Sequence, residues 1–291
     1  MSRINEIKVK IKNIRSTEKI TKAMEMISTS KMRRAQETMK SSRPFCTTII
    51  ELINNLSYSC IDKHDFFIKR PEVNIGLVVI GTDRGLCGGL NINLFKQCHS
   101  YIASWSKNNI NSQIKIATIG EKAKKFFSNH NFEAKVKIVA SLEQVTQKPK
   151  VQDLIGVVQA LLQEYEKKNL DSIYIAYNEF ENIMKQNPVV KQLLPIVPTV
   201  DNNHKLQTEY LVEPDLNTIL DVLLKRYIES LVYQGVVENI ACEHSARMVA
   251  MKNATDNANQ IINDLQIYLN KERQAIITKE ISEIVGGSVV V

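Results

Sequence analysis

A glycine-rich stretch, GTDRGLCGGL at residues 81–90, has the composition of a phosphate-binding loop. It follows the apolar run IGLVVI at 75–80, and backbone N–H groups at the start of a helix bind anions when glycine lets them approach closely. Its spacing matches neither GxGxxG nor GxxxxGK followed by Ser or Thr, the pattern in which a lysine reaches the phosphates. We therefore interpret the stretch as a tight turn between a strand and a helix.

Side chains suited to metal binding or acid–base chemistry are scattered along the chain. The five histidines and five cysteines show no metal-ligand spacing and no CxxC, which argues against a zinc site or a disulfide framework. Asp83 and Arg84 are adjacent, but no nucleophile or base motif accompanies them. We interpret them as a turn-stabilising pair, and we predict no catalytic residue, no metal and no cofactor.

The positive charge is concentrated at one end. Residues 1–43 carry 12 Lys or Arg against 4 Glu, whereas the other 248 residues are nearly balanced, with 26 cations and 27 anions. Nucleic acid would be attracted by this charge, but the basic arm lacks aromatic stacking residues and groove-reading motifs. No apolar run is long enough to span a bilayer and no signal peptide is visible, so a soluble, intracellular protein is expected.

Proline and glycine divide the chain into three parts. All seven prolines lie between residues 44 and 214, residues 1–43 contain no glycine, and the 71 residues from 215 to 285 contain only Gly235. Because glycine costs about 1 kcal/mol and proline about 3 kcal/mol inside a helix, both ends are predicted to be long helices. No ordinary globular core needs helices of this length.

The apolar positions predict that these two helices pack together. Ile4, Ile7, Ile11 and Ile14 step by 3-4-3, the spacing of a coiled-coil seam. Ile20, Met24 and Ile27 resume this spacing with a shifted phase. In the last turns of the C-terminal helix, a buried stripe is predicted for Ile277, Ile281 and Ile284. The interpretation is an irregular antiparallel pair with breaks in its phase.

The middle of the chain alternates between short apolar runs and helical segments. Four runs predict buried strands at 75–80, 113–119, 136–140 and 172–177, with helices around 91–107, 121–129 and 151–169 between them. Such βαβ units predict a mainly parallel sheet, and residues 178–198 resemble a hairpin. The fold class is therefore a small Rossmann-like α/β domain plus a long antiparallel coiled coil. The predicted bounds are 1–57 and 208–287 for the helices and 72–205 for the α/β domain.

Three stretches together resemble the gamma subunit of F-type ATP synthases of the bacterial type. They are KITKAMEMISTSKMRRAQ at 19–36, GTDRGLCGGLN at 81–91, and ARMVAMKNATDNA at 246–258 continuing to NKERQAIITKEISEIVGG at 270–287. The resemblance covers essentially the whole chain, and the three motifs occur in the family's order.

The resemblance implies a non-catalytic rotary central stalk of a proton-transporting ATP synthase. The helix pair would turn inside a ring of alpha and beta subunits, and the α/β domain would contact the epsilon subunit and the membrane c-ring. Changing contacts would alter nucleotide affinity at the beta-subunit sites. The expected location is peripheral, on the cytoplasmic face of the cell inner membrane, with no nucleic acid and no direct small-molecule ligand.

The resemblance also assigns contact residues. Met24 and Arg247 are implied to be coupling positions, Met24 near the beta subunits. A further group is implied to meet a beta-subunit loop, namely Arg273, Gln274, Thr278 and Glu280. Cys87, inside the glycine-rich turn, is implied to lie at the contact with epsilon and the rotor ring.

Two other functional classes fit part of the sequence. A nucleotide-dependent α/β enzyme with helical oligomerisation arms would bind nucleotide as an isolated chain. A basic coiled-coil protein that binds nucleic acid would retain DNA in a salt-dependent manner.

Overall fold

The computed structural model describes residues 2–60, 64–108, 113–129, 135–145, 149–197 and 216–288. The elements in chain order are α1 (Ser2–Cys60), β1 (Ile75–Ile80), α2 (Leu90–Asn108), β2 (Gln113–Ile119), α3 (Glu121–Asn129), β3 (Lys135–Leu142), α4 (Val151–Glu166), β4 (Ser172–Phe180), β5 (Gln186–Leu194) and α5 (Leu216–Ser288). The first residues of the C-terminal helix predicted at 208–287 lie outside the described residues. Two compact units are formed, one by Ser30–Ala246 and one by Met1–Thr29 with Arg247–Val291. No helix within the described ranges combines the length and the apolar content needed for a membrane crossing.

The unit formed by residues 30–246 contains a five-stranded sheet in the order β3-β2-β1-β4-β5. β1 pairs in parallel with β2 and β4, β2 pairs in parallel with β3, and β5 pairs antiparallel with β4. The α/β fold with a mainly parallel sheet is thus confirmed, including the hairpin within residues 178–198. All six residues of β1 are buried, as expected for a strand that has helices on both faces.

Alternation along β1 separates the two cores of this unit. Leu77 and Val79 face α2 and α3, and Leu94 of α2 belongs to the same cluster. Successive side chains of a strand point to opposite faces, so Val78 and Ile80 face the other layer. That layer is built from α4, α5 and the end of α1, and its members include Leu161, Ile228 and Ile53.

Gly235 lets α5 approach the sheet closely. A Cβ atom at this position would lie 3.1 Å from Ile80 Cδ1 and 3.2 Å from Ile175 Cδ1. These distances are shorter than ordinary carbon–carbon contacts. The one glycine between residues 215 and 285 is therefore explained by packing against β1 and β4.

The buried face of α1 differs from the sequence-based prediction. Positions spaced alternately by three and four residues, from Ile4 through to Ile53, are all buried or half-buried. Ile20 and Ile27 lie off this series and are 60% and 54% exposed, so the predicted shift of phase is wrong. A pattern of apolar side chains alone overlooks Thr21 and Ser28, which are the buried residues in that region.

The second unit pairs the start of α1 with the later part of α5 in antiparallel fashion, as predicted. Ile7 and Ile11 pack with Ile262, and the hydroxyl oxygens of Thr21 and Thr255 lie 2.8 Å apart in a buried hydrogen bond. In the first turn of α1, an Arg3 guanidinium nitrogen lies 3.6 Å from a Glu272 carboxylate oxygen.

The stripe predicted in the last turns of α5 is not buried. Ile277, Ile281 and Ile284 are 44%, 55% and 72% exposed. The reason is the pairing of the two helices, because Arg3 in the first turn of α1 is already opposite Glu272. Among the described residues, no further turn of α1 covers the stripe.

An ion pair attaches α4 to the sheet. The Lys115 ammonium on β2 donates a hydrogen bond to the Glu164 carboxylate on α4, which also accepts one from the Asn169 side chain at 3.2 Å. Lys115 is only 9% exposed. The hydrogen bond from Lys115 lowers the pKa of Glu164, because the charged carboxylate is stabilised in the folded protein.

We expect Glu164→Gln to lower the free energy of unfolding by about 1 kcal/mol at neutral pH, because the charge-assisted bond becomes a neutral one. A lowered folded-state pKa stabilises the fold above the unfolded value, and this stabilisation disappears as the pH falls through the folded-state pKa. The difference from wild type should therefore shrink as the pH falls below about 4. Urea unfolding of the full chain, followed by fluorescence of the single tryptophan, Trp105, measures it.

Glu166→Gln is the matched control for this prediction. Its carboxylate lies 3.5 Å from the Lys225 ammonium, and both side chains are about half exposed, so the change should be below about 0.5 kcal/mol throughout this pH range. An effect of Glu164→Gln that does not diminish between neutral pH and about pH 3 would contradict the role assigned to its charge.

Gly235→Leu should destabilise the unit by about 1–3 kcal/mol, because the added atoms would overlap Ile80 and Ile175. Gly235→Ala is the control, since small movements of two side-chain tips accommodate one methyl group and alanine favours the helix by about 1 kcal/mol. The same unfolding measurement compares them. Equal stability of the leucine variant and the wild type would show that the close approach is not needed.

Candidate partner-contact site

The glycine-rich turn after β1 is built around a close approach of two strand ends. A Cβ atom on Gly81 would lie 2.9 Å from the Ala123 side chain. Gly120, just after β2, has a φ of +99°, and a Cβ atom there would lie 2.9 Å from the Gly81 carbonyl oxygen. Both positions therefore require glycine for space, and Gly120 also requires it for its backbone conformation.

Asp83 caps the neighbouring helix. Its Oδ1 atom accepts hydrogen bonds from the backbone N–H of Glu121 at 3.0 Å and of Gln144 at 3.2 Å. Glu121 is the first residue of α3, and a carboxylate at a helix N-terminus satisfies an otherwise unpaired donor. The Asp83 carboxylate thus occupies the N-terminus of α3, where the helix would otherwise attract a phosphate group most strongly.

The next residues are held by side-chain hydrogen bonds within the turn. Thr82 Oγ1 donates to the Arg84 carbonyl at 2.8 Å and accepts from Asn91 Nδ2 at 2.7 Å. Asn91 Nδ2 also lies 3.4 Å from Cys87 Sγ. Leu86 has a φ of 62° and is 61% exposed. A large apolar side chain in the left-handed region is therefore displayed at the surface.

Cys87 itself is a packing residue. It is 3% exposed and lies in a small apolar cluster with Leu90 and with Cys242 of α5, against which Phe180 and Ala246 pack. The residue implied at a partner contact is therefore covered by its own chain, whereas its neighbour Leu86 is exposed.

Two buried asparagines fasten the turn to α5. Asn239 Nδ2 donates to the Gly81 carbonyl at 3.0 Å, and Asn178 Nδ2 donates to Asn239 Oδ1 at 2.9 Å. Cys242 Sγ donates to the Asn178 carbonyl at 3.2 Å. The sequence analysis missed these hydrogen bonds. The feature that could have indicated them is Asn239, an amide side chain within an apolar stretch of helix.

Burial disfavours the thiolate form of three cysteines, Cys46, Cys98 and Cys242. Burial raises the pKa of Cys98 to about 12 and also raises the pKa values of Cys46 and Cys242. The thiolate is the reactive and metal-binding form, so these groups stay protonated at neutral pH. In the part of the chain that the structure describes, no cluster of three His, Cys, Asp or Glu side chains is arranged to hold a metal.

The implied coupling residues all lie in the unit of residues 1–29 and 247–291. Met24 is half-buried and Arg247 is 7% exposed. The remaining four are exposed on α5 beyond Glu272, namely Arg273, Gln274, Thr278 and Glu280. The structure therefore groups these four on the uncovered end of one helix, whereas Cys87 belongs to the other unit.

Comparisons with known proteins agree with each other. A family model described as ATP synthase matches residues 3–290. The ATP synthase gamma chains of two Haemophilus influenzae strains, PittEE and Rd, are each 47% identical over 292 aligned positions, covering 99% of both chains.

Solved structures share the fold at lower identity. A chain of the Euglena gracilis mitochondrial ATP synthase, in the OSCP/F1/c-ring structure, matches with a TM-score of 0.71 at 21% identity, covering 99% of this chain and 94% of that one. A chain of the rotor of the same enzyme matches with a TM-score of 0.65 at 18% identity, covering 95% and 99%. The full-length match in sequence shows that this chain belongs to the ATP synthase gamma-chain family.

Proposed function

We propose that this chain is the central-stalk subunit of a proton-transporting F-type ATP synthase and couples rotation of a membrane ring to ATP synthesis and hydrolysis. The 47% identity to gamma chains along the full length carries the proposal. The solved structures that share the fold are chains of a mitochondrial ATP synthase rotor and of an F1/c-ring assembly. The partners are alpha and beta subunits around the helix pair, an epsilon subunit and the c-ring.

In this function the chain carries no nucleotide chemistry of its own. Its glycine-rich turn is packed against α3, and Asp83 of the turn caps that helix, so the turn serves structure and contact. The nucleotide sites belong to the beta subunits, and the chain changes their affinity through contacts that differ between rotational positions. The complex holds the chain peripherally at the cytoplasmic face of the cell inner membrane.

The end of α5 that α1 does not cover provides the contacts with the beta subunits that differ between rotational positions. Arg273 and Gln274 lie just beyond the last pairing with α1 at Glu272, and both are exposed. Arg273 and Glu280 are separated by about 10 Å along a helix, which is too far for a mutual ion pair, so both side chains can bond a partner.

Met24 and Arg247 differ in this proposal. Arg247 is almost fully buried within the chain, so it acts by positioning the helix that carries it. Met24 is half-buried, and the proposal keeps it as a coupling position near the beta subunits.

Arg273→Ala combined with Gln274→Ala should leave the complex assembled but lower ATP hydrolysis and synthesis about tenfold, because charge-assisted contacts of about 1.5–3 kcal/mol to a beta-subunit loop are lost. The complex is purified from cells, its subunit ratio is measured, and both rates are assayed. Lys279→Ala is the control, because this exposed side chain on the same helix is 3.7 Å from Glu283 of its own chain. Wild-type rates of hydrolysis and synthesis in the double variant would contradict the contact assigned to Arg273 and Gln274.

Leu86 tests the contact assigned to the turn around Cys87. A photo-reactive amino acid at position 86 in the assembled complex should capture a neighbouring subunit, because the side chain is 61% exposed on a turn held by its own hydrogen bonds. The same amino acid at Lys107, in the last turn of α2, is the control. Capture of epsilon or the c-ring supports the implied contact, and capture of alpha or beta contradicts it.

A further inference from the structure

The carboxyl ends of β1 and β4 form the place where a sheet of this kind offers a ligand site. β1 lies between β2 and β4 in the sheet, so the chain leaves β1 toward one side for β2 and later returns to the other side for β4. In open α/β sheets, ligands bind in the crevice outside the carboxyl ends of two strands that separate in this way. Gly81, directly after β1, and Asn178, near the end of β4, border this crevice, which we call the strand-end crevice.

Side chains of α5 occupy the strand-end crevice. Asn239 and Cys242 are 1% and 0% exposed. Asn239 Nδ2 donates a hydrogen bond to the Gly81 carbonyl at 3.0 Å, and Cys242 Sγ donates one to the Asn178 carbonyl at 3.2 Å. The helix is therefore bonded to the backbone at both strand ends, at the place where a ligand would otherwise lie.

Asn239 holds this arrangement together because both groups of its amide are paired. Its Nδ2 atom donates to Gly81, and its Oδ1 atom accepts from Asn178 Nδ2 at 2.9 Å. The Gly81 N–H is itself bonded to the Ile119 carbonyl of β2 at 2.8 Å, so Gly81 is held on both sides. A fully satisfied buried network of this kind specifies one arrangement of its members.

The turn that displays Leu86 begins at the same residue. The Thr82 carbonyl accepts a hydrogen bond from the Lys122 N–H at 2.9 Å, and Thr82 Oγ1 donates one to the Arg84 carbonyl at 2.8 Å. The turn is therefore held by a series of hydrogen bonds that starts at Gly81, and Gly81 is bonded to α5.

We infer that Asn239 is a positioning residue for the rotary coupling proposed above. It fixes the turn of residues 81–90 to α5, so a force that a partner exerts on the turn passes into the helix that also carries Arg273 and Gln274. The strand-end crevice then serves to attach this helix, and an amide side chain takes the place of a ligand. The inference rests on the proposed function and adds to it a residue that is buried within its own chain.

Loss of the Asn239 amide should loosen the turn without unfolding the unit. The Gly81 carbonyl would be left buried and without its donor, which is unfavourable. It regains a partner if the turn moves away from α5 and admits a water molecule. A turn that moves in this way yields to a force instead of passing it on, whereas the nucleotide sites of the beta subunits stay intact.

Asn239→Leu in the purified complex tests the inference, because leucine keeps a similar volume and removes both side-chain hydrogen bonds. ATP hydrolysis should stay close to the wild-type rate. ATP-driven proton pumping and proton-driven ATP synthesis in vesicles should fall at least about fivefold, the equivalent of one lost hydrogen bond. Hydrogen exchange of the backbone N–H groups of residues 82–90 should become faster in the same complex.

Ile114→Ala is the matched control. Ile114 is 0% exposed and pairs with Ile75 at the amino ends of β2 and β1, the opposite end of these strands from the crevice. This variant loses core packing and is destabilised. Its proton pumping, its ATP synthesis and the hydrogen exchange of residues 82–90 should nevertheless remain at wild-type levels.

Two further variants show whether Asn178 acts through Asn239. Asn178→Leu removes the donor to Asn239 Oδ1 and keeps the bond to Gly81, so its loss of proton pumping should be smaller. Asn178→Leu combined with Asn239→Leu should pump as well as Asn239→Leu alone, because residues in one hydrogen-bond network are not additive. If Asn239→Leu does not assemble, Asn239→Ser replaces it, since its hydroxyl is too short to bond both partners, and the same order of effects is expected.

Four results would overturn the inference: wild-type pumping and synthesis in Asn239→Leu, a parallel fall of its hydrolysis, pumping and synthesis, equal losses in Ile114→Ala, or additive losses in the double variant. Failure of the proposed function gives a different result, in which alpha and beta subunits do not co-purify with the wild-type chain. A wild-type complex that couples normally, together with any of the four results, rejects only the role assigned to Asn239.

Discussion

The close approach of α5 to the sheet at Gly235 is the constraint on which the α/β unit depends. One face of α5 meets the sheet, its members being Gly235, Asn239, Cys242 and Ala246, which are spaced by 4-3-4 residues. Because Gly235 has no side chain, α5 can lie close to the sheet. Asn239 donates a hydrogen bond to the Gly81 carbonyl, and Cys242 packs with Cys87. The glycine-rich turn is therefore fixed by a helix that begins far away in sequence. Its shape follows from this packing, and no bound phosphate is needed to explain it.

Polar side chains inside the helix pair define which residues face each other. An apolar seam with a regular 3-4 spacing still buries its side chains after a slip of one heptad. A buried hydroxyl or amide finds its partner in one register only. Thr21 with Thr255 supplies such a pair in one unit. In the other unit, the half-buried Ser42 hydroxyl donates a hydrogen bond to Gln234 Oε1 at 2.7 Å. A helix pair that transmits torque needs a fixed register, and these bonds provide it.

The sequence predicts the elements better than the contacts. Apolar runs such as IGLVVI are short, continuous and bounded by turn residues, so β1 to β4 are located within a few residues. The seam is misread when hydrophobicity alone defines it, because Thr21 and Ser28 are polar. Resemblance implies a contact at Cys87, but no local pattern reveals that Cys242, distant in sequence, packs over it. Pairings between distant residues depend on tertiary packing, which periodicity does not encode.

The end of α5 leaves apolar side chains that its own chain does not cover. Among the described residues, those beyond Glu272 have no turn of α1 opposite them, and Ile277, Ile281 and Ile284 are exposed along one side. An isolated helix of about 15 residues is marginal in water, because packing of its apolar face supplies most of its stability. Apolar side chains at this spacing are stabilising only when another surface covers them. In the function proposed above, the isoleucine stripe and the exposed polar residues around Arg273 form one contact with an enclosing partner, in which the apolar side chains are covered and the polar ones lie at its edge.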